Sequence, residues 1–281
     1  MTEIIDIRPA NVDDRSKLEY FLTYEFFVHQ HLDWQPSLDW LGTQPFYLAL
    51  KNNEIIACIA APSEVNNIAW IRLFACSALY SRDQIWKLLF PHLVSYLKGN
   101  INLLAALGIH QWFSNLLLNN SFNVHQNIIV FEWKDNPPAF YNPRIELEIK
   151  PLQHYHIHET ALLDRRCFDP LWQLPENSMK KAFNQAGYST VTIHQNQIVG
   201  YQITTETYHA AHLARLAVDP AFQGLGIGKA ILYDLFEYCH QVGKTDISVN
   251  TQDDNSHSRS LYEGMGFIQN EEKYPVFVYK L

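Results

Sequence analysis

"FQGLGIGKA", Phe222 to Ala230, puts glycine at every second position (224, 226 and 228), with Lys229 directly after the last. Glycine this dense lets something approach the backbone, because no Cβ stands in the way. A phosphate is the first expectation, but several glycine loops bind phosphate and each implies a different protein. A Walker A loop needs Gly, four residues, then Gly-Lys-Ser/Thr. Counting back from Gly228-Lys229 puts Gln223 where its first glycine belongs, and Ala230 replaces the Mg²⁺-binding hydroxyl. A Rossmann fingerprint reads G-x-G-x-x-G, with an acidic residue ending the next strand. Here the spacing is G-x-G-x-G and that strand ends in Asn250. Neither reading survives the count.

The surroundings suit a third reading. "AHLARLAV" (211–218) has the pattern of a strand, "DP" turns the chain, and the loop runs into a helix, "KAILYDLFEYCHQV" (229–242). Ile231, Leu232, Leu235, Phe236, Cys239 and Val242 form one apolar stripe on that helix, closed by Gly243. Backbone N–H groups of the loop and of the helix N-terminus then converge on one spot suited to a pyrophosphate. A tight strand-to-helix turn also has its own structural need for glycine, and that reading stays open beside the first.

Working outward, "RIELEIK" (144–150) reads as a strand, "HETALLDRRCF" (158–168) as a helix, "DPLWQLPEN" (169–177) as a loop and "SMKKAFNQA" (178–186) as a helix. Residues 188–207 read as two strands about a polar turn at Gln195–Asn196. "TDISVNT" is a further strand, Asn255 to Glu263 a short helix and "YPVFVYKL" a final strand. Strands alternate with helices, yet one strand pair is antiparallel, so the expectation is an α/β protein with a mixed sheet.

Gln223, Gly226 and Gly228 match the Q/R-x-x-G-x-G/A signature of the GCN5-related N-acetyltransferase (GNAT) family, which the chain resembles. "VNTQDDNSHSRSLYEGMGF" (249–267) is similar to a later motif of that family: Asn255, the pair Leu261-Tyr262, then Gly266-Phe267. The resemblance covers roughly residues 145–281 and implies acetyl-CoA as cofactor. It implies that Gln223, Gly224, Leu225, Gly226, Ile227, Gly228 and Lys229 hold the pyrophosphate, and that Asn255 contacts the cofactor. It implies a splay between Arg215–Val218 and Ile247–Asn250, with the pantetheine arm pairing to the backbone of Leu216, Ala217 and Val218. Tyr262 is then the cofactor-binding general acid that protonates the departing thiolate. Without the resemblance, Asn255 reads as a helix N-cap with Ser258 three residues on, and Tyr262 as a helix residue tucked against a core.

The two halves echo one another. "EIIDIRPA" (3–10) resembles "IELEIKPL" (145–152), "AWIRLFACS" (69–77) resembles "HLARLAVDP" (212–220), and Phe122 falls over Phe267, at offsets of 142, 143 and 145. Matches in order at a nearly constant offset indicate a tandem duplication. The expectation is two tandem GNAT-like domains, each a mixed, mostly antiparallel sheet flanked by helices. Residues 1–135 form a degenerate domain and 144–281 the catalytic one, joined by the linker "KDNPPAFYNPR" (134–144). The first half has no glycine between Ser77 and Leu89, and Leu117 stands where the second half has Tyr262. That half is expected to keep the scaffold without the cofactor, and to be inseparable from the active half.

The remaining composition excludes more than it assigns. A net charge of −8 without a dense Lys/Arg run argues against nucleic acid or an anionic membrane as partner. No signal-peptide pattern or membrane-length apolar run occurs, and Cys58, Cys76, Cys167 and Cys239 are scattered, so a reducing cytoplasm is expected. "HYHIH" (154–158) lacks a carboxylate or thiol cluster to complete a metal site, and none is expected. The expected function is transfer of the acetyl group of acetyl-CoA to a primary amine of a small molecule or peptide, by direct attack. The alternative is a non-catalytic CoA-binding regulatory module. Glu206 is the candidate base with His212 beside it, and Phe168, Leu171 and Trp172 are candidates to line the acceptor pocket. Monomer and homodimer both remain open.

Overall fold

A computed structural model describes residues 4–64, 67–134 and 143–281. The chain forms two compact units, Met1–Gln126 with Tyr274–Leu281, and Asn127–Lys273.

The N-terminal unit runs β1 (Asp6–Pro9), α1 (Arg15–Tyr24), β2 (Phe27–Gln30), β3 (Phe46–Lys51), β4 (Glu54–Ala60), β5 (Asn67–Trp70), β6 (Leu73–Cys76), α2 (Arg82–Leu97), β7 (Ile101–Leu107), α3 (Gln111–Asn119) and the start of β8 (Asn123–Lys134). Its main sheet has the order β1-β3-β4-β6-β2. One face packs on α2 through Ile85, Trp86, Leu89 and Leu93, the other on Leu18 and Phe21 of α1.

The C-terminal unit continues with β9 (Glu148–Pro151), α4 (Ile157–Cys167), α5 (Glu176–Gln185), β10 (Tyr188–His194), β11 (Gln197–Glu206), β12 (Ala210–Val218), α6 (Ile227–Gln241), β13 (Asp246–Gln252), α7 (Ser256–Gly264) and β14 (Ile268–Lys280). Its strands follow the order β8-β13-β12-β11-β10-β9. β12 and β13 are parallel and the other pairs antiparallel, so the sheet is mixed. The expected turn at Gln195–Asn196 is there: both residues hold a left-handed φ (47° and 65°), which suits a two-residue hairpin turn. Asn52 and Asn53 do the same between β3 and β4, 143 residues earlier. The stripe expected on α6 is buried at Ile231, Leu232, Leu235, Phe236 and Cys239, while Val242 lies past the helix end and is exposed. Gly243 (φ 74°) follows, and the Lys244 N–H returns to the Cys239 carbonyl, closing the helix.

Several element ends differ from expectation. β9 is shorter, because Ile145 and Leu147 contact the Val199–Ile231 cluster from outside any ladder. β14 begins before the expected "YPVFVYKL" and is long enough to serve both units. Val276–Lys280 pair with Leu107–Leu103 of β7 in the N-terminal unit. Reciprocally, Ile128–Lys134 of β8 pair with β13 in the C-terminal unit. The compact units therefore part within β8 and β14, whereas the sequence suggested a boundary in the linker between 135 and 144. Most of that linker, 135–142, lies outside the described residues.

The repeat has structural counterparts. The Phe122 N–H reaches the Leu117 carbonyl at 3.1 Å and the Phe267 N–H reaches the Tyr262 carbonyl at 3.0 Å. Leu117 and Tyr262 thus hold the same position at the ends of α3 and α7.

Candidate functional site

The site starts from a strand that loses its neighbour. β12 pairs with β11 along its whole length, from Ala211↔Glu206 to Val218↔Gly200. Arg215 and Leu213 face consecutive β11 residues, Ile203 and Thr204, so Ala214 is an extra residue in the ladder. Such a bulge bends its strand. On the other edge, the parallel pairing with β13 ends at Leu213↔Val249, although β13 stays paired with β8 as far as Gln252↔Ile128. Among the described residues, 214–218 therefore have no strand on that edge. The splay was expected to include Ile247. It opens later, because Ile247, Ser248 and Val249 are laddered to Ala211, His212 and Leu213.

The loop follows at once. The Asp219 carboxylate accepts the Ala221 N–H (3.0 Å) and is held by Arg166 Nη2 at 2.8 Å. Gln223 donates from Nε2 to the Val218 carbonyl. Gly224 (φ 77°) and Gly226 (φ 88°) lie in the left-handed region, which glycine adopts without strain. Gly226 is the N-cap of α6 and has no side chain to cap it, so the first N–H groups of the helix are left for an outside acceptor. At Gly228 the reason for glycine is packing: a Cβ would lie 2.9 Å from Leu261 Cδ2. What approaches that glycine is the neighbour of Tyr262, so the two motifs touch.

Tyr262 sits in the core of this face, 4% exposed, with its ring 5.9 Å from that of Phe131 and 5.6 Å from that of Phe267. Burial alone pushes its phenol above the ordinary value, and its hydroxyl has no hydrogen-bond partner among the described residues. Asn255 is the N-cap of α7: Oδ1 accepts the Ser258 N–H at 3.1 Å, and Nδ2 reaches Gln252 Oε1 at 3.4 Å.

The opposite face of the sheet carries a buried charge network. Arg215, where the bare edge begins, donates to Asp164 Oδ2 from Nε (2.8 Å) and Nη2 (2.6 Å), and to the Trp172 carbonyl at 2.6 Å. Its guanidinium lies 3.6 Å from the centre of the Phe168 ring. Asp164 is fully buried on α4; it also accepts from the Tyr201 hydroxyl in a short hydrogen bond and from the Leu174 N–H at 2.7 Å. These bonds tie residues 168–174, with Phe168, Leu171 and Trp172, to the splayed strand.

Of the two candidate bases, His212 lies one residue before the parallel ladder ends. Its Nδ1 is 2.8 Å from Ser248 Oγ, and burial lowers its pKa. Glu206 lies opposite Ala211, one step along the ladder from Thr205↔His212 at the same end of β12, and faces Lys244 Nζ at 3.7 Å beyond the C-terminus of α6. α6 is a 15-residue helix, so about 22 Å of helix separates that end from the glycine loop. Glu206 and His212 therefore lie close together, at the end of β12 away from the glycine loop. Of "HYHIH", His156 Nδ1 accepts the Gln153 N–H and His158 Nδ1 meets Glu176. No group of three or more His, Cys, Asp or Glu among the described residues is arranged to hold a metal.

Residues 154–267 match the Acetyltransferase (GNAT) family. Over that stretch the chain carries a GNAT acetyltransferase domain. A [ribosomal protein bS18]-alanine N-acetyltransferase from Haemophilus influenzae is 35% identical over 75 residues, which are 27% of this chain and 51% of that protein. The match thus spans about half the length of the curated relative. Similar solved structures include a tandem GNAT protein from the clavulanic acid biosynthesis pathway, with TM-score 0.65, 13% identity, and coverage of 99% of this chain and 98% of that one. A GCN5-related N-acetyltransferase from Kribbella flavida has TM-score 0.73 and 9% identity, covering 100% of this chain and 72% of that one. At these identities the likeness is one of fold, and it runs through both halves.

In the GNAT domain, sequence reasoning missed Asp164 and Tyr201. Their signal was faint: a carboxylate on the inner face of an amphipathic helix, at Ile157, Thr160 and Asp164, with an arginine on a distant strand to neutralise it. Among the described residues, no helix is long and apolar enough to cross a membrane.

Proposed function

We propose that this chain is an N-acetyltransferase that moves the acetyl group of acetyl-CoA onto a primary amine of a small molecule or peptide. One observation carries the reading: the bare edge of β12 runs directly into a glycine loop that leaves α6 uncapped. A pantetheine arm has two amides, each a donor and an acceptor, and suits an unpaired strand edge as an added strand would. A diphosphate suits free N–H groups at a helix N-terminus. Leu216, Ala217 and Val218 are then assigned to the arm, residues 223–229 to the diphosphate, and Asn255 to the cofactor from the start of α7.

Bound acetyl-CoA supplies the thioester. A neutral amine attacks the carbonyl carbon, the C–S bond breaks, and the leaving sulfur takes a proton. A backbone N–H of the bare strand, at Leu216 or Val218, is assigned to the carbonyl oxygen as charge develops there. Tyr262 is assigned as the proton donor: burial keeps its phenol protonated well past neutral pH. For the amine's proton we take His212 over Glu206. The two lie one rung apart, but burial favours neutral His212, whereas Glu206 is engaged with Lys244. The network of Arg215 and Asp164 supports Phe168, Leu171 and Trp172 as the acceptor wall, because it fixes their loop to the reacting strand.

The curated relative's name supports including peptides that begin with alanine among the acceptors. The test is thiol release from acetyl-CoA against pooled small amines and such peptides, with CoA binding followed by calorimetry. Turnover with at least one acceptor is expected. CoA binding without thiol release across the pool would overturn transfer in favour of a CoA-binding regulatory module.

A further inference from the structure

Both units build the same opening in a sheet, and only one leaves it empty. In the C-terminal unit the parallel ladder ends at Leu213↔Val249. In the N-terminal unit the corresponding ladder, β5 on β7, ends at Trp70↔Ala105, 143 and 144 residues earlier. The strand then resumes as β6, which pairs with β4 on one side as β12 does with β11. Its other edge corresponds to the bare edge of β12, and here it is covered. β2 lies along it antiparallel, from Phe27↔Cys76 to Gln30↔Leu73.

The correspondence continues beyond the strand. Glu25 Oε2 accepts the backbone N–H of Ala78 at 3.0 Å, in the glycine-free stretch leading to α2. A carboxylate thus sits on a backbone donor at the helix entrance, where the other unit has its loop. Arg82, in the first turn of α2, lies over the Phe27 ring at 4.1 Å, and Trp112 of α3 meets that ring edge-on at 5.5 Å. His29 is fully buried, stacked on Phe113 of α3 at 3.9 Å.

We propose that Glu25–Gln30 is a built-in occupant of the N-terminal unit's cofactor slot. Its backbone takes the strand edge that a pantetheine arm would need, and its leading carboxylate takes a donor that a phosphate would need. The identification of the slot rests on the function proposed above; the occupancy rests on the ladder itself. A segment of the same chain competes at an effective concentration that reaches the millimolar range for a short tether. A free cofactor would also have to break the β2–β6 ladder, expose Val28 and His29, and meet the Glu25 carboxylate with its own negative charge. The N-terminal unit is therefore closed to acyl-CoA by its own strand. The absence of glycine between Ser77 and Leu89 follows, since no phosphate has to approach that backbone.

Hydrogen exchange on the full chain, with and without saturating coenzyme A, tests this directly. Amides of Phe27–Gln30 and Leu73–Ala78 should be protected to the same degree in both conditions, while those of 214–229 gain protection with CoA. Glu25→Ala should speed exchange at Ala78 by about 10-fold or more, as expected for loss of a hydrogen bond to a charged group, with Glu25→Gln in between. If CoA adds protection at 73–78, if it releases 27–30, or if calorimetry counts two sites per chain, the slot is open and the proposal fails. Free exchange of 27–30 in the wild-type chain would also sink it, with no variant needed. An unchanged 214–229 would instead overturn the cofactor site of the C-terminal unit, and with it the naming of the slot.

Discussion

A tyrosine hydroxyl without a partner, inside an aromatic cluster, contributes little to stability, so its removal separates chemistry from packing. Tyr262→Phe keeps the ring contacts with Phe131 and Phe267. It should lower kcat by about 10²–10⁴ while leaving acetyl-CoA affinity and the unfolding midpoint nearly unchanged. An unchanged kcat, with chemistry shown to limit the rate, would dismiss the general acid. The raised phenol also predicts that no alkaline loss of rate from Tyr262 occurs below about pH 10, the unperturbed value. His29 gives the opposite sign of pH dependence. Burial holds its imidazole down at about 3, so between about 6.5 and about 3 the unfolded chain binds a proton that the folded chain refuses. Its contribution to stability is complete above about pH 6.5 and declines as the pH falls through that window. His29→Phe should make the fall of the thermal midpoint between pH 6.5 and 4 shallower; an identical slope would remove His29 from the acid response.

Helices α6 and α7 are coupled through one missing methyl group. A Cβ at Gly228 would sit 2.9 Å from Leu261 Cδ2, and Tyr262 is the next residue along α7. Gly228→Ala should therefore cost about 1–3 kcal/mol by overpacking and also lower kcat by shifting α7. Leu261→Ala in the same chain removes the clash, so urea unfolding of the double variant should lose less than the sum of the single losses. Strictly additive losses would show that α7 does not feel residue 228. The same element explains what was legible. Alternating and stripe patterns located β10, β11, α6 and the turn at Gln195–Asn196, since these depend on neighbours in sequence. The end of the β12–β13 ladder was misplaced by several residues, because it depends on the bulge at Ala214, which only the register with β11 reveals.

The whole chain is tied together by exchanged strands. The C-terminal unit draws β8 from the first half of the sequence, where it pairs with β13 along Asp246–Gln252. The N-terminal unit draws Tyr274–Leu281 from the very end. A fragment of residues 140–281 would bare the β13 edge and leave the Val276–Lys280 ladder without β7. Unpaired apolar edges of this kind associate. The fragment should aggregate, or lose CoA binding, where the full chain stays soluble; a soluble, monomeric fragment with full CoA affinity would refute the exchange.

The amino-acid sequence by itself determined the glycine loop, the Leu261-Tyr262 pair, the mixed sheet and the internal repeat, all of which are set by residue type at short spacing. Tertiary structure alone decided where Glu206 lies, that Asp164 and Tyr201 bind Arg215, and that Glu25–Gln30 fills an opening its counterpart leaves bare. Those facts join residues from about 14 to more than 50 positions apart, and backbone periodicity holds no information about which distant edge or charge a segment meets. Strand pairing and burial of charge are settled only when the sheet closes.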